Sequence, residues 1–222
     1  MTQSNWSDPP SQTAFPVAKA GYSFIFASAF ATAVFALLGV GWLAVLGLFT
    51  TGFICYFFRD PDRLVPTGEG VVVSPADGKV IKVEPVDRTP YFEGACTRIS
   101  VFMSVFNVHV NRVPHEGTIR QVNYHPGKFF SANLDKASTD NEHNALLLES
   151  PNGKKVGFVQ IAGLVARRII CAVQPGDVLK RGHRFGMICF GSRLDVYLPP
   201  ETDIRVGVGD KVQAGSSILG QW

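Results

Sequence analysis

The sequence predicts a mainly β protein, a β-sandwich or barrel-like hybrid domain over residues 59–222, preceded by an N-terminal helical hairpin that spans or re-enters a membrane over residues 21–58. Three observations predict it. Tyr22 to Phe58 is a 37-residue run without a charged residue, rich in Phe, Ala, Leu and Val. After Arg63 the pattern changes to short β-branched runs, Val71–Val73, Val80–Val83 and Ile99–Met103, punctuated by Gly, Pro and Asp, as all-β domains show. A Gly-Asp-x4-Gly pattern then occurs twice, at Gly176-Asp177…Gly182 and Gly209-Asp210…Gly215. That repeat sets His183 where the second copy has Ser216, and both copies read as hairpin turns of a duplicated β unit.

Along the chain, residues 1–20, with Asp8-Pro-Pro10 and several Ser, Gln and Thr, read as a mobile tail. The apolar run exceeds the roughly 20 helical residues that a bilayer core needs, and Gly39 and Gly41 near its middle offer a turn between two short helices. A single tilted helix is the alternative. A cleaved signal peptide fits poorly, because the first 18 residues hold no Lys or Arg and the run is too long. Lys19 before the run and Arg59 and Arg63 after it put both ends on the cytoplasmic side by the positive-inside tendency. In the β region, Phe129 to Asn144 lacks strand patterning and reads as a long loop with some helical turn.

Composition narrows the function classes. A net charge of +3 is too small to argue for nucleic acid. Cys55, Cys96, Cys171 and Cys189 form no C-x-x-C pair, so neither a zinc site nor a disulfide framework is indicated, and buried free thiols are expected. No carrier lysine of the Met-Lys-Met kind sits in either repeated turn, which disfavours a swinging-arm carrier.

Five motifs stand in order: Phe57-Phe-Arg-Asp-Pro-Asp-Arg63, Ser74-Pro-Ala-Asp-Gly-Lys-Val80, Phe106-Asn-Val-His-Val-Asn-Arg-Val-Pro114, Phe190-Gly-Ser-Arg-Leu-Asp-Val-Tyr-Leu-Pro199, and Gly215-Ser216-Ser217 almost at the C-terminus. Alone, an Asp-Gly or a Gly-Ser-Ser is a turn, and a histidine between Val108 and Val110 is a half-buried strand residue. Together, from about Tyr22 to Trp222, they resemble the phosphatidylserine decarboxylase family in its short prokaryotic form.

The resemblance implies a proenzyme that makes its own cofactor. Ser216 would attack the carbonyl of Gly215, and the resulting ester would eliminate to leave a β chain of residues 1–215 and a short α chain whose first residue is a pyruvoyl group. A weakly nucleophilic hydroxyl needs a base, for which His109, oriented by Asp77, is the candidate. The longer bacterial enzymes carry a second histidine three residues on, where this chain has Arg112. Either His109 serves both maturation and decarboxylation, or His143 or His125 is recruited. The pyruvoyl carbonyl would take the substrate amine as a Schiff base and accept the electrons released with carbon dioxide, so neither pyridoxal phosphate nor a metal is implied.

The implied substrate is phosphatidylserine, or an ether-linked archaeal analogue, reached at the inner membrane from the cytoplasmic side and yielding phosphatidylethanolamine in phospholipid synthesis. Arg112, Arg167 and Arg168 are candidates for its phosphate. Phe57-Phe58 at the hairpin's exit and Phe129-Phe130 in the loop can meet lipid or pack in the core. The two product chains would stay together as a heterodimer, and a homodimer of these is a further possibility. A serine/lysine peptidase using Lys79 or Lys82, and a tethered β domain that binds a partner, are the alternatives from other classes. Only the decarboxylase reading expects the chain to cut itself before Ser216.

Overall fold

The computed structural model describes residues 16–130, 140–163, 168–189 and 191–222. The described chain divides into two units, with the boundary between Asp62 and Arg63.

The first unit is the hairpin. Helices α1 (Tyr22–Leu37) and α2 (Gly41–Phe57) are predominantly apolar and without an internal proline, and Gly39, at φ +72°, makes the turn between them. The helices pack through small residues. A Cβ on Gly47 would lie 2.5 Å from Thr32 Oγ1, so glycine permits this approach. Ser28 and Thr51 share a hydroxyl hydrogen bond of 2.8 Å, while Thr32 and Thr51 also donate to Ser28 O and Gly47 O; the interface hydroxyls therefore stay satisfied without water. Phe26, Phe30, Leu37 and Phe49 point outward and are exposed. Lys19–Leu37 is long and apolar enough to cross a membrane, whereas Gly41–Phe57 is shorter. This pattern supports membrane association.

The end of the expected tail, residues 16–20, is placed. Residues 1–15 lie outside the described residues, but Val17 bridges Arg59, Ala18 N donates to Phe58 O and Asp60 N donates to Pro16 O. Residues 16–20 thus pair with the exit of α2.

The second unit is mainly β. Its strands are β1 (Val71–Val73), β2 (Gly78–Val86), β3 (Cys96–Met103), β4 (Val110–Arg112), β5 (Gly117–His125), β6 (His143–Glu149), β7 (Lys155–Ala162), β8 (Arg168–Cys171), β9 (Val178–Leu179), β10 (Arg184–Cys189), β11 (Ser192–Leu198), β12 (Asp203–Ile204), β13 (Lys211–Val212) and β14 (Ile218–Gln221). A curled eight-stranded sheet has the order β13-β2-β3-β11-β7-β6-β5-β9, and two three-stranded sheets have the orders β1-β14-β12 and β4-β10-β8. Every pairing is antiparallel. The core between the sheets gathers Val72, Val80, Ile99, Val101, Phe158, Phe185, Leu194, Val196 and Leu219, all fully buried. β11, central in the large sheet, is buried on both faces.

The weak repeat proves to be a structural duplication. Gly209 and Asp210 bracket Val80 of β2 with hydrogen bonds of 2.8 Å each, just as Gly176 and Asp177 bracket Ile119 of β5 at 2.8 and 2.9 Å. β13 then pairs β2 through Gly78 and Val212, and β9 pairs β5 through Gly117 and Leu179. Six residues after each leading glycine, the next one donates to a strand-end carbonyl: Gly215 N to Ser74 O at 2.7 Å and Gly182 N to Val113 O at 2.8 Å. The two edges of the large sheet end in equivalent turns that meet each other.

Two local expectations change. His109 precedes β4 instead of lying within a strand, and His143 and Asn144 open β6, so the long loop ends at Glu142. Residues 131–139 of that loop lie outside the described residues. Phe129 packs against the core and Phe130 is 38% exposed.

Candidate active site

The turn Ala214-Gly215-Ser216 is gripped from several sides. Gly215 has φ +75°, in the left-handed region that side chains resist. A Cβ there would stand 2.8 Å from Arg112 Cδ. Gly182 of the equivalent turn is next in line, its Cα 3.6 Å from the same point. Arg112 is buried, its amide donating to Pro75 O at 2.9 Å and its Nη1 to Gly182 O at 2.9 Å, so the side chain is tethered at both ends.

Asp77 lies between β1 and β2, as its Pro-Ala-Asp-Gly setting predicts. Oδ1 accepts the amide of Ala214 at 2.7 Å, and Oδ2 accepts Arg63 Nη2 at 2.7 Å. This carboxylate therefore holds the residue before Gly215, with Arg63 fixing the carboxylate. Ser216 Oγ donates to Leu64 O at 2.9 Å, so the hydroxyl is parked on the segment that also supplies Arg63.

His109 is fully buried. Its Nδ1 is 3.0 Å from Asn107 O, a carbonyl that only accepts, so Nδ1 carries the proton and Nε2 is the basic nitrogen; the amide of Gly191 approaches Nε2 at 3.4 Å. It stands three residues before Arg112, about 10 Å of extended chain.

His143 is placed elsewhere. The register row His143, Ile161, Arg193, Phe102, Lys79 separates it from the start of β2 by four strand spacings of about 4.8 Å. Its Nδ1–H donates to Asn141 O at 2.7 Å, so Nε2 accepts from the Tyr91 hydroxyl at 2.9 Å. His125 stacks on it with centroids 4.7 Å apart, beside an open cleft of about 890 Å³ that also touches Tyr91 and Glu93. The structure thus joins Asp77, Gly215 and Ser216 in one turn and sets His143 and His125 across the sheet. Arg168 begins β8, and Arg167 lies outside the described residues.

Burial is the largest influence on His143 and lowers its pKa; the neighbouring His125 adds to this, while the bond to Asn141 opposes it. A folded pKa below the unfolded value of about 6.5 means that the neutral ring is favoured on folding. Its contribution is fully present above about pH 6.5 and is lost as pH falls. The thermal midpoint is therefore expected to fall between about pH 7.5 and pH 5.5, and to fall less in His143→Gln. Equal falls would show that His143 does not titrate with folding.

Sequence reasoning passed over three members of the turn: Arg63 as partner of Asp77, Leu64 O as acceptor for Ser216, and Ser217. Arg63 and Ser217 both stand inside the ordered motifs, but nothing in their spacing announces contacts across 14 or more residues. Among the described residues, no group of three or more His, Cys, Asp or Glu side chains could hold a metal.

Comparison with known proteins gives a consistent result. The model of the family described as phosphatidylserine decarboxylase matches residues 50–220. A phosphatidylserine decarboxylase proenzyme of Syntrophus aciditrophicus is 53% identical over 206 residues, covering 92% of this chain and 96% of the relative. The proteins of the same name from Desulfotalea psychrophila and Nitratidesulfovibrio vulgaris are 48% and 56% identical, covering 95% and 85% of this chain and 98% and 87% of the relatives.

Proposed function

Because the chain belongs to the phosphatidylserine decarboxylase family, we propose that it is a self-processing proenzyme that converts phosphatidylserine to phosphatidylethanolamine and carbon dioxide, with Ser216 as the source of its pyruvoyl group. Membership leaves the peptidase and binding-domain alternatives without support. The observation that carries the assignment of the site is Gly215, held in a left-handed geometry open to glycine between Arg112, Ser74 and the Ala214–Asp77 bond, with a hydroxyl on the next residue. Such a turn fits the making of the group in place, since it holds the Gly215–Ser216 bond and the neighbouring hydroxyl in one well-fixed loop.

In self-processing, Ser216 Oγ leaves Leu64 O and attacks the Gly215 carbonyl. The C–N bond breaks as the new C–O bond forms, and the freed amine of Ser216 takes the hydroxyl proton. Loss of the Cα proton then breaks the Cβ–O bond and releases Gly215 as a carboxylate, and water replaces the amine, which leaves as ammonia. His109 Nε2 is the base we assign to these proton transfers; Asp77 holds Ala214 and Arg63 holds Asp77. The pyruvoyl carbonyl supplies the electron sink for decarboxylation of a primary amine. His109, whose Nδ1–H is fixed on Asn107 O, returns a proton to the substrate carbon from Nε2.

The released peptide is held without a covalent bond. β14 is the middle strand of its sheet, between β1 and β12, and Leu219 is fully buried. Trp222 lies over His115 at a centroid distance of 4.7 Å, with Lys154 Nζ 5.5 Å from its ring, and its amide donates to Gly70 O. Trp222→Ala is expected to release the Ser216–Trp222 peptide on gel filtration in detergent, because an aromatic side chain contributes about 3 kcal/mol. Full retention with normal activity would count against this anchor.

The charge-free hairpin serves a substrate that stays in a bilayer, and we assign the enzyme to the inner membrane with the β unit on the cytoplasmic side. Intact-mass measurement of the detergent-solubilised protein beside Ser216→Ala tests the proposal. The wild type is expected as a chain ending at Gly215 plus a peptide lighter than Ser216–Trp222 by one ammonia, and the variant as one whole chain. A folded wild type that stays whole overturns it.

A further inference from the structure

The two equivalent turns differ by one residue, and the difference falls just after the glycine. On the entering side they match bond for bond: Gly215 N donates to Ser74 O as Gly182 N does to Val113 O, and Ser216 N donates to Gln213 O at 3.2 Å as His183 N does to Lys180 O at 3.3 Å. On the leaving side they part. Val113 N is answered by His183 O, the first residue after the glycine, at 2.7 Å. Ser74 N is answered by Ser217 O, the second residue after the glycine, at 2.8 Å. The second turn is therefore one residue longer, and Ser216 and Ser217 together stand where the other turn has His183 alone.

A turn one residue longer needs something to hold it closed. Ser217 does so with three groups at once. Its amide donates to Gln213 O at 3.0 Å, its Oγ accepts the amide of Gln213 at 2.9 Å, and its carbonyl accepts from Ser74. Gln213 and Ser217 are thus clasped, and Ala214, Gly215 and Ser216 form the closed loop between them. The equivalent of Gln213 in the other turn, Lys180, precedes a shorter turn that has no residue in this place.

We propose that Ser217 is a positioning residue for self-processing: its hydroxyl closes the one-residue-longer turn on Gln213 and so holds Ser216 beside the Gly215 carbonyl. The inference rests on the self-processing reading above. It assigns the two serines of Gly215-Ser216-Ser217 different work, the first as nucleophile and the second as clasp.

The test follows conversion of newly synthesised full-length chain into its two products by mass. Ser217→Ala is expected to convert at least about tenfold more slowly than wild type, the loss of one well-aligned hydrogen bond in the reactive geometry. Ser217→Thr, which keeps the hydroxyl, is expected to return close to the wild-type rate. The same Ser217 substitutions placed on Ser216→Ala, where no cleavage intervenes, are expected to lower the thermal midpoint of the precursor by no more than about 4 °C, the cost of one exposed hydrogen bond. Wild-type conversion by Ser217→Ala, failure of Ser217→Thr to recover, or a fall in the precursor's midpoint well beyond that range overturns the clasp while self-processing stands. A wild type that stays whole overturns the self-processing reading itself, and shows in the same experiment.

Discussion

Gly215→Ala is expected to leave the chain uncut, with conversion slowed by at least about a hundredfold. The φ of +75° costs an L-residue roughly 1–2 kcal/mol before any contact is considered. The added methyl would also meet Arg112 Cδ at 2.8 Å. Arg112 yields poorly, because its amide is bonded to Pro75 O and its guanidinium to Gly182 O, with Gly182 only 3.6 Å from the same methyl. The turn relaxes instead, shifting Ser216 from the place from which its hydroxyl reaches the Gly215 carbonyl, and a displacement of about 1 Å is worth about two orders of magnitude in rate. A time course of intact mass reads this directly. Gly215→Ala converting at the wild-type rate would show that neither the left-handed geometry nor the Arg112 contact matters to the reaction.

Why this turn was legible only in part follows from the kinds of signal involved. The hairpin was plain, since a charge-free run with glycines at its middle has few other solutions in chain physics, and Gly39 takes the turn. The β strands of the core were readable from their β-branched runs, and the duplication from the Gly-Asp spacing. Asp77, Gly215 and Ser216 were found through the ordered motifs, and they do converge. The contacts that fix them were hidden, because Arg63 to Asp77, Ser216 to Leu64 and Arg112 to Gly182 join residues 14, 152 and 70 positions apart, and local periodicity carries no information at that range. His109 shows the opposite failure. Its alternation with valines looks like a strand, yet the chain is irregular there and its ring is fixed by Asn107 O, two residues away.

The largest expected effect on stability lies away from the turn, at Asp195. This carboxylate and Arg193 are successive same-face residues of β11, 0% and 1% exposed in the middle of the large sheet. Nη2 donates to Oδ2 at 3.0 Å, and Nε stands 2.9 Å from Oδ1 at ion-pair distance but without hydrogen-bond alignment. Burial raises the pKa of Asp195, and the Arg193 charge works against that rise. Removing the anion leaves the guanidinium among Val159, Ile161 and their neighbours without its closest counter-charge, a loss of roughly 3–5 kcal/mol by the general cost of breaking a buried pair. For a chain of this size, that lowers the melting midpoint by about 10 °C. Asp195→Ala in the uncleavable Ser216→Ala background, followed by thermal unfolding in detergent, measures it without interference from processing. Replacing both members by apolar residues, Arg193→Met with Asp195→Leu, is expected to lose much less, because no charge is then stranded. If the double replacement melts as low as Asp195→Ala, the pair is not the cause, and the loss belongs to packing on β11.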